Sequence, residues 1–461
     1  MIEKNEILTT AAELGLNPDT VEKDYVLGWL LHGIHNHTST KGWAFKGGTS
    51  LKKCFFETFR FSEDLDFTLS DNTQLDADLL KSTFIEIIGT LSEEVGIEFF
   101  PDEFKFKIID KGNGNYSSQG KITYNGPLRR ARGVATIKLD LTTDEVLVLI
   151  PVIKRVHHPY SDEPANGIHA TCYAFEEVVA EKIRALAQRL RPRDVYDVVH
   201  FFRNREMIGN PKLVLSVLDK KCQFKNMGMP TFEDIEKHAK LDELEPQWEY
   251  MLAHQLPVLP TIESFWQDLA PFFDWLHGHL EVEQIEPLAI GKESIFQVGR
   301  YSRLGDSPAI LNKIQFAAAN RVCITLTYSG KARTVEPISF RQSEGTGNKL
   351  FYGFERESTT AKAFIISKIE GVAVTNIPYI EKYPVEISAT GSISMPPIRR
   401  ASTGRIHSTG ISRRLTHSAA HKIQCPVCHK IFTRKNPSDT ALNKHKNSWG
   451  GNCTGRRGHH V

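Results

Sequence analysis

The segment with the clearest chemical potential is FKGGTSLKKCFFETFRFSEDLDFTLS, residues 45–70. It contains a glycine pair, Gly47 and Gly48, followed by two aspartates spaced one residue apart, Asp64 and Asp66. The backbone N–H groups of a glycine turn can approach an anion closely, most of all where the turn opens a helix. Side chains two residues apart on a strand share a face, so these aspartates repel each other unless a cation lies between them.

A third carboxylate could join the pair. Asp140 lies in ATIKLDLTT, a segment that alternates like a strand and that could lie beside the strand of Asp64 and Asp66. Magnesium is usually held by one or two carboxylates together with substrate phosphates. Three carboxylates, magnesium and a phosphate cradle would form a site for phosphoryl or nucleotidyl transfer. The plain structural alternative is a solvated group of acids at a strand end.

The same residues resemble a known family. KGGTSLKKC followed by RFSEDLDF is very similar to the abortive-infection nucleotidyltransferase toxins of the AbiEii/AbiGii type, which belong to the polymerase-β-like superfamily. Upstream, VEKDYVLGW resembles the family's N-terminal helix. The motif E-x4-K-[LI] matches Glu177 through Lys182 and Ile183, and D-[LI]-x-D matches Asp194 through Asp197. The resemblance extends over about residues 1–270.

The resemblance implies roles by position. Asp64 and Asp66 would hold magnesium, with Asp140 added by our reading of strand spacing. Lys182 would meet the triphosphate, and Asp194 would act as an acid, a base or an orienting group. The residues expected at the nucleotide are Lys46, Gly47, Gly48, Thr49, Ser50, Arg60 and Ser62. Without the motif, Lys182 would be interpreted as a solvated helix lysine paired with Glu177 or Glu181.

The implied function is an enzyme that moves a nucleotide from an NTP to an acceptor. The acceptor would be tRNA or another RNA, with protein also possible, and the enzyme would be a toxin or phage-defence effector opposed by a cognate antitoxin. Two alternatives stay open. The transferase core could be a degenerate scaffold within a nucleic-acid-binding regulator, or the acceptor could be a small molecule, as in enzymes that modify antibiotics.

Periodicity predicts an α/β (α+β) fold with a polymerase-β-like nucleotidyltransferase core and a helical lobe over residues 1–280. The expected helices follow Asn17 and cover 175–190, 194–204, 211–219, 231–254 and 261–280, and the expected strands are WAFKGG, LDFTLS, GVATIKLDLTT and EVLVLIPVI. A second, β-rich domain is expected at 288–395, with a helix at 307–319. Four strand-like runs follow it in the manner of a meander: RVCITLTYS, TVEPISF, KLFYGFE and AFIISKIEGVAV.

The second domain resembles the WYL domain, a β-rich module of bacterial regulators and defence proteins. Phe351-Tyr352-Gly353 stands where the family carries its Trp-Tyr-Leu triplet. A nucleic acid or nucleotide ligand would meet Tyr328, Arg333, Tyr352 and Lys362. The alternative is a structural or dimerising module.

The last segment, residues 421–461, has the spacing of a zinc finger. Cys425 and Cys428 form a C-x2-C pair, and His445 and Cys453 follow at intervals that could complete a tetrahedral zinc site, the cysteines on a tight turn and the histidine on a following helix. Other potential ligands are His429, His459 and His460. The alternative is a stapled, solvated tail or a protein-docking module.

Charge is distributed unevenly along the chain. Of 57 Lys and Arg residues, 13 lie from residue 396 onward, against one of the 55 acids, so this tail carries about +12 and the preceding part about −10. The segment 396–420 reads as a flexible basic linker, and the tail as a contact for RNA or DNA. No segment is apolar enough for a membrane helix and MIEKNEILTTAAELGL lacks the pattern of a signal peptide, so a cytoplasmic location without a membrane partner is expected.

Overall fold

The computed structural model describes residues 1–57, 59–112, 114–129, 134–280, 285–289, 291–297, 308–390, 421–428, 430–434, 440–445, 453–454, 456–457 and 459–460. Their helices are α1 Lys4–Leu14, α2 Pro18–Asn36, α3 Gly47–Ser50, α4 Ala77–Val95, α5 Phe175–Arg189, α6 Pro192–Arg203, α7 Pro211–Phe224, α8 Phe232–Glu236, α9 Leu241–Leu252, α10 Ile262–Trp266, α11 Leu269–His277 and α12 Pro308–Asn320.

The strands of the same residues number seventeen. They are β1 Ala44–Lys46, β2 Asp64–Thr68, β3 Glu98–Phe99, β4 Lys105–Gly112, β5 Asn115–Asn125, β6 Ala135–Thr142, β7 Val152–Val156, β8 Ile168–Cys172, β9 Glu293–Ile295, β10 Val322–Tyr328, β11 Lys331–Ser343, β12 Lys349–Glu355, β13 Thr360–Ile365, β14 Ile369–Pro378, β15 His421–Gln424, β16 Ile431–Arg434 and β17 His459–His460. The contacts between residues divide the chain into two compact units, 1–398 and 399–461.

The first unit is built on an eight-stranded sheet in the order β3-β5-β6-β2-β1-β8-β7, with β4 paired to β5 outside this path. β1 runs antiparallel to β2, and β2 runs parallel to β6. The central strands bury large apolar side chains such as Phe45, Leu65 and Phe67. This buried core holds the two central strands β1 and β2 firmly in register.

Local sequence explains the helices that cover the sheet. α2 begins at Pro18 behind Asn17, whose side chain accepts from the backbone N–H of Asp19, as the sequence predicts. α5 ends at Leu190 in the left-handed conformation, and α6 begins with Pro192, whose fixed φ suits a first helical turn. The predicted helical lobe is confirmed, and it places α5 and α6 side by side.

One predicted strand of this unit is largely wrong. EVLVLIPVI, residues 145–153, is strand only from Val152 onward. The backbone N–H groups of Val148 and Leu149 donate instead to the carboxylate of Glu177, at 2.9 and 2.8 Å, which removes them from any ladder. A short apolar run therefore becomes an irregular segment attached to α5.

The second sheet of the first unit has the order β13-β12-β11-β10-β14, with β9 paired to β11. AFIISKIEGVAV does not form one strand as predicted, because a turn of 3₁₀ helix at Ile366–Lys368 divides it into β13 and β14. β14 then pairs with β10, so the expected meander is wrong in its last step. The mixed α/β fold class with a β-rich C-terminal region is confirmed.

α12 connects this sheet to the helical lobe. The hydroxyl of Tyr196 donates to Asn320 Oδ1 at 2.8 Å, and Arg203 Nη1 donates to the carbonyl of Asn320 at 2.7 Å. Arg321 Nη2 in turn donates to the carbonyl of Arg203 at 2.8 Å. The domain boundaries 1–280 and 288–395 stay predictions, and these hydrogen bonds tie the two segments together.

The second unit contains a small sheet in the order β16-β15-β17. Its buried cluster consists of Ile423, Cys425, Leu442 and Cys453. His445, expected on a helix, lies in irregular backbone. The predicted linker 396–420 lies outside the described residues.

Across the described residues, every helix is too short or too polar to span a lipid bilayer.

Candidate active site

The glycine bend lies directly after β1. Gly47 has a φ of +82°, a conformation that favours glycine, and a Cβ there would lie 2.2 Å from Asp66 Oδ2. A Cβ at Gly48 would lie 2.8 Å from Arg60 Nη2 and 3.1 Å from Ser62 Oγ. Both glycines therefore allow the backbone to approach the acidic pair and its flanking residues closely.

Strand register brings the predicted carboxylates together. Asp66 stands opposite Lys46 of β1 on one side and opposite Asp140 of β6 on the other. Asp64 stands opposite Lys138, one pleat away. Because β6 pairs with β2, the spacing argument that added Asp140 to Asp64 and Asp66 agrees with the observed sheet.

The local electrostatics favour a cation at these acids. The pKa of Asp66 is raised to about 6, chiefly by burial and also by the carboxylates of Asp140 and Asp64, against the opposing effect of Lys46 and Lys182. Burial also raises the pKa of Asp64. Asp64, Asp66 and Asp140 offer oxygen donors of the type that magnesium prefers, beside a bend with room for phosphate, so the residues present fit that ion.

The hydroxyls of Thr49 and Ser50 are directed elsewhere than predicted. Thr49 Oγ1 donates to the carbonyl of Asp64 at 2.5 Å, and Ser50 Oγ donates to the carbonyl of Gly47 at 3.0 Å. Both residues are buried. They stabilise the bend, which leaves the backbone N–H groups rather than these hydroxyls to meet a phosphate.

Two predicted cations share one buried carboxylate. Asp197 accepts from Arg60 Nε and Nη2 at 2.8 and 2.9 Å, and its Oδ2 lies 2.6 Å from Lys182 Nζ. Burial alone would raise the pKa of Asp197, but Arg60 and Lys182 outweigh it and lower that pKa to about 2. Lys182 is thus paired with Asp197, not with Glu177 or Glu181.

Asp194, the predicted acid, base or orienting group, has a different neighbour. Its side chain is fully buried, and its two oxygens accept from Arg189 Nε and Nη2 at 2.7 and 2.8 Å. Asp194 is not among the described residues that line the cleft, whereas Arg189 is. Its geometry fits an orienting group that acts through Arg189.

All these elements open onto one cleft of about 490 Å³. Nine of its lining residues had no predicted role: Glu145, Glu181, Arg184, Ala185, Gln188, Arg189, Arg191, Arg193 and Lys225. Asp197, which also had none, lies behind the cleft. Two features of the sequence could have identified some of these residues. Asp197 is the second aspartate of the D-V-Y-D motif, and the spacing of Lys182 and Arg189 places both on one face of a helix. Glu177 is instead structural, because it binds backbone N–H groups and lies 3.0 Å from Lys221 Nζ.

In the β-rich part, the predicted ligand residues mostly contact neighbouring side chains. Glu355 accepts from both Arg333 and Lys362. Tyr352 donates its hydroxyl to Glu293 at 2.7 Å. Tyr328 packs edge-on against Phe364, with ring centroids 5.3 Å apart. These contacts agree with the structural alternative, and the ligand role of the four residues stays a prediction.

The second unit contains a possible metal site. The ligand atoms of Cys425, Cys428, His445 and Cys453 all lie within 4.8 Å of one another, and the described residues hold no other such group. Cys425 Sγ lies 3.7 Å from Cys453 Sγ, and Cys428 Sγ lies 3.3 Å from His445 Nε2. His445 Nδ1 lies 2.8 Å from the carbonyl of Asn443, which leaves Nε2 for a metal.

Three cysteines and one histidine fit tetrahedral zinc. His459 and His460, weighed as substitute ligands, lie on β17 outside this group. His429 lies outside the described residues.

Comparison with known proteins finds a matching family and structures of similar fold. The sequence matches the family described as nucleotidyl transferase AbiEii toxin, type IV toxin–antitoxin system, over residues 29–277. The nucleotidyltransferase toxin MenT4 of Mycobacterium tuberculosis is 19% identical, with a TM-score of 0.40 over 62% of this chain and 91% of that chain. A putative nucleotidyltransferase of H. pylori is 19% identical, with a TM-score of 0.34 over 58% and 98%. No curated protein matches the sequence.

The family match covers more than half of the chain and includes the glycine bend, the acidic pair, Lys182 and both aspartates of the D-V-Y-D motif. The chain therefore belongs to the AbiEii family of nucleotidyltransferase toxins of type IV toxin–antitoxin systems.

Proposed function

We propose that this nucleotidyltransferase uses magnesium to transfer a nucleotide from an NTP to a hydroxyl of RNA, with tRNA the favoured acceptor. The observation that carries the proposal is the contact between the glycine bend and the acids. A Cβ at Gly47 would collide with Asp66, and Asp66 lies in register with Asp140. A phosphate on the bend would therefore lie next to the carboxylates.

The chain's own residues divide the work of binding. The backbone N–H groups of Gly47 and Gly48, with Lys46 and Ser62, hold the triphosphate. Arg60 and Lys182, fixed by Asp197, supply positive charge. Because Asp197 is fully buried, both cations are oriented before the substrate arrives.

The reaction exchanges one phosphorus–oxygen bond for another. The acceptor oxygen forms a bond to the α-phosphorus, the bond between the α- and β-phosphates breaks, and pyrophosphate leaves with that electron pair. The acceptor's proton passes to a carboxylate of the cleft, for which Asp140 is suitably placed opposite Asp66. Asp64 and Asp66 would hold magnesium, which would supply positive charge for the α-phosphate and the leaving group.

Charge favours a polyanionic acceptor over a small molecule. Of 57 Lys and Arg residues, 13 lie from residue 396 onward, a density that suits RNA or DNA. A small acceptor has no use for such a tail. The regulator with a degenerate core is disfavoured because the chain belongs to a nucleotidyltransferase family and retains Asp64, Asp66 and Lys182. As a toxin, it would be opposed by an antitoxin and would act in the cytoplasm.

Transfer of label tests this function. The protein is incubated with magnesium, each α-labelled NTP in turn and total tRNA, beside the double variant Asp64→Ala, Asp66→Ala. Asp102→Ala, which removes an exposed carboxylate in a surface turn, is the matched control. Label in RNA with wild type and control, but not with the double variant, supports the proposal. Label in protein, or in nothing, refutes RNA as the acceptor.

For the second unit we propose structural zinc, bound by Cys425, Cys428, His445 and Cys453. The support is the gathering of four donors of the right chemistry within 4.8 Å. Metal analysis of the full chain should give about one zinc per molecule. The basic residues around this site would add affinity for nucleic acid, which a variant of the protein without residues 396–461 should lose.

A further inference from the structure

Most cations of the cleft already have acidic partners. Six of its eight lysine and arginine side chains, counted among the described residues, lie within 4 Å of a carboxylate oxygen: Lys46, Arg60, Lys182, Arg184, Arg189 and Lys225. Their positive charge is therefore partly neutralised before any substrate binds. The remaining two are Arg191 and Arg193.

Arg193 lines the cleft without a hydrogen-bond partner for its Nε atom, which is buried. Arg191, exposed at the same rim, likewise has no ion pair or hydrogen bond from its side chain within the described part of the chain. Buried donors in proteins are nearly always bonded, so an unsatisfied one in a cleft indicates a place for a ligand. An arginine fork presents parallel N–H groups that match a phosphate.

The two arginines flank Pro192 at the start of α6, with Arg191 before it and Arg193 after it. Burial and the neighbouring Arg60 lower the pKa of Arg193, whereas Asp64, Asp197 and Glu63 oppose them. Arg60 and Lys182 are bonded to Asp197, and Lys46 lies 3.7 Å from Glu145. The start of α6 thus supplies the two cations of the cleft that no carboxylate of the described residues holds within 4 Å.

We propose that Arg191 and Arg193 form a second phosphate-binding subsite, which holds a backbone phosphate of the acceptor strand. The proposal rests on the proposed function, because it needs a nucleic-acid acceptor. The triphosphate already has the bend and its own cations, whereas the acceptor hydroxyl must reach the α-phosphate from the opposite side. Arg193, with its unpaired Nε in the cleft, would fix the acceptor strand at the start of α6.

Two binding measurements separate the possible sources of this phosphate. The full-length protein and its variants Arg191→Gln and Arg193→Gln are titrated with each NTP in calcium, which holds the complex without turnover. They are then titrated with a labelled single-stranded RNA of twelve nucleotides at several salt concentrations. Arg205→Gln, which removes an arginine outside the cleft, is the matched control.

Each cleft variant should raise the Kd for RNA about tenfold and reduce the slope of log K against log salt by about 0.7, as one lost phosphate contact requires. The Kd for NTP should stay within about twofold of wild type. Arg193→Lys should keep the salt slope while losing part of the affinity, because lysine keeps the charge without the fork. The basic tail is common to all variants and cancels in these ratios.

Other results overturn the subsite. RNA affinity and salt slope that match the control refute it. NTP affinity that falls tenfold while RNA binding is unchanged assigns both arginines to the triphosphate and refutes the acceptor assignment. Failure of the proposed function can be distinguished from failure of the subsite. In that case the wild-type protein itself would bind no NTP and transfer no label, whatever residue stands at position 193.

Discussion

The acidic cleft and the Cys/His cluster both gather metal-binding side chains, but they are supported in opposite ways. Asp64 and Asp66 alternate with Leu65 and Phe67, which are buried in the core of an eight-stranded sheet. The cluster has a core of four residues, of which two are its own cysteines. A large core can hold carboxylates together without an ion, whereas a small one depends on the metal for its folding free energy.

Removal of zinc should therefore have the largest structural effect in the molecule. A structural zinc contributes an apparent folding free energy of about 10–16 kcal/mol in small modules. Chelation, or Cys428→Ser, should abolish amide-exchange protection in β15 while leaving β2 protected, since the core around β2 contains none of these ligands. Exchange measured by mass spectrometry checks this. Persistent protection of β15 without metal would show that its four-residue core suffices.

At the cleft, the expected loss is of activity rather than of fold. Asp66→Asn removes a proposed magnesium ligand and should lower the rate of transfer by on the order of 10³-fold. The melting temperature should not fall, because burial and two neighbouring carboxylates already disfavour the charged form of Asp66. Labelled transfer and thermal unfolding are measured together, with Asp102→Asn as control. A parallel loss of stability and activity would remove the contrast between the two sites.

The candidate ligands of both sites could be predicted from the sequence, but the side chains that hold them in place could not. The glycine pair, the acidic pair and Asp140 could be predicted because strand periodicity fixes which side chains share a face, and the family resemblance added Lys182. The order of residues within each motif is local, so the sequence shows it directly. The motif also contained Asp197, yet nothing in its spacing shows that it, rather than Asp194, contacts Lys182.

What escaped prediction depends on contacts between distant segments. The run EVLVLIPVI fails as a strand because Glu177, about thirty residues later, captures its backbone N–H groups. The break between β13 and β14 likewise follows from the pairing of β14 with β10, which lies more than forty residues earlier. Short apolar runs cannot reveal such partners, because strand propensity depends on neighbours across the sheet.

Among single carboxylates, Asp197 behind the cleft should be the one whose neutralisation costs the protein the most stability. Asp197→Asn leaves Arg60 and Lys182 buried without their counter-charge, which should cost about 3–5 kcal/mol of unfolding free energy at pH 7. Urea unfolding followed by far-UV circular dichroism measures the loss. Asp194→Asn is the comparison variant, because Asp194 is equally buried but pairs with a half-exposed arginine, Arg189. The loss of unfolding free energy in Asp194→Asn should therefore be smaller.

The pH dependence of the Asp197 effect has a definite sign. The pKa of Asp197 is about 2 in the folded protein, against an ordinary value of 3.8. Its contribution, about 2.5 kcal/mol, is therefore complete above about pH 5 and is lost as the pH falls through 3.8 towards 2. The difference in stability between wild type and Asp197→Asn should narrow from pH 5 to pH 3. A constant difference over this range would mean that the ion pair does not govern the stability of the centre.

The smallest expected effect is that of Gly47→Ala on the KM for NTP. It tests whether the backbone shapes the glycine bend without bound metal and nucleotide. Alanine at Gly47 must adopt a φ of +82° and meets Asp66 Oδ2 at 2.2 Å, so the KM for NTP should rise about tenfold, equivalent to 1–2 kcal/mol. Gly48→Ala, whose nearest atom is the end of an arginine side chain, should raise KM by less. Gly371→Ala is the control, because its Cβ would meet nothing closer than 3.9 Å. Equal KM values for all three variants would mean that bound metal and nucleotide, rather than the backbone, shape the bend.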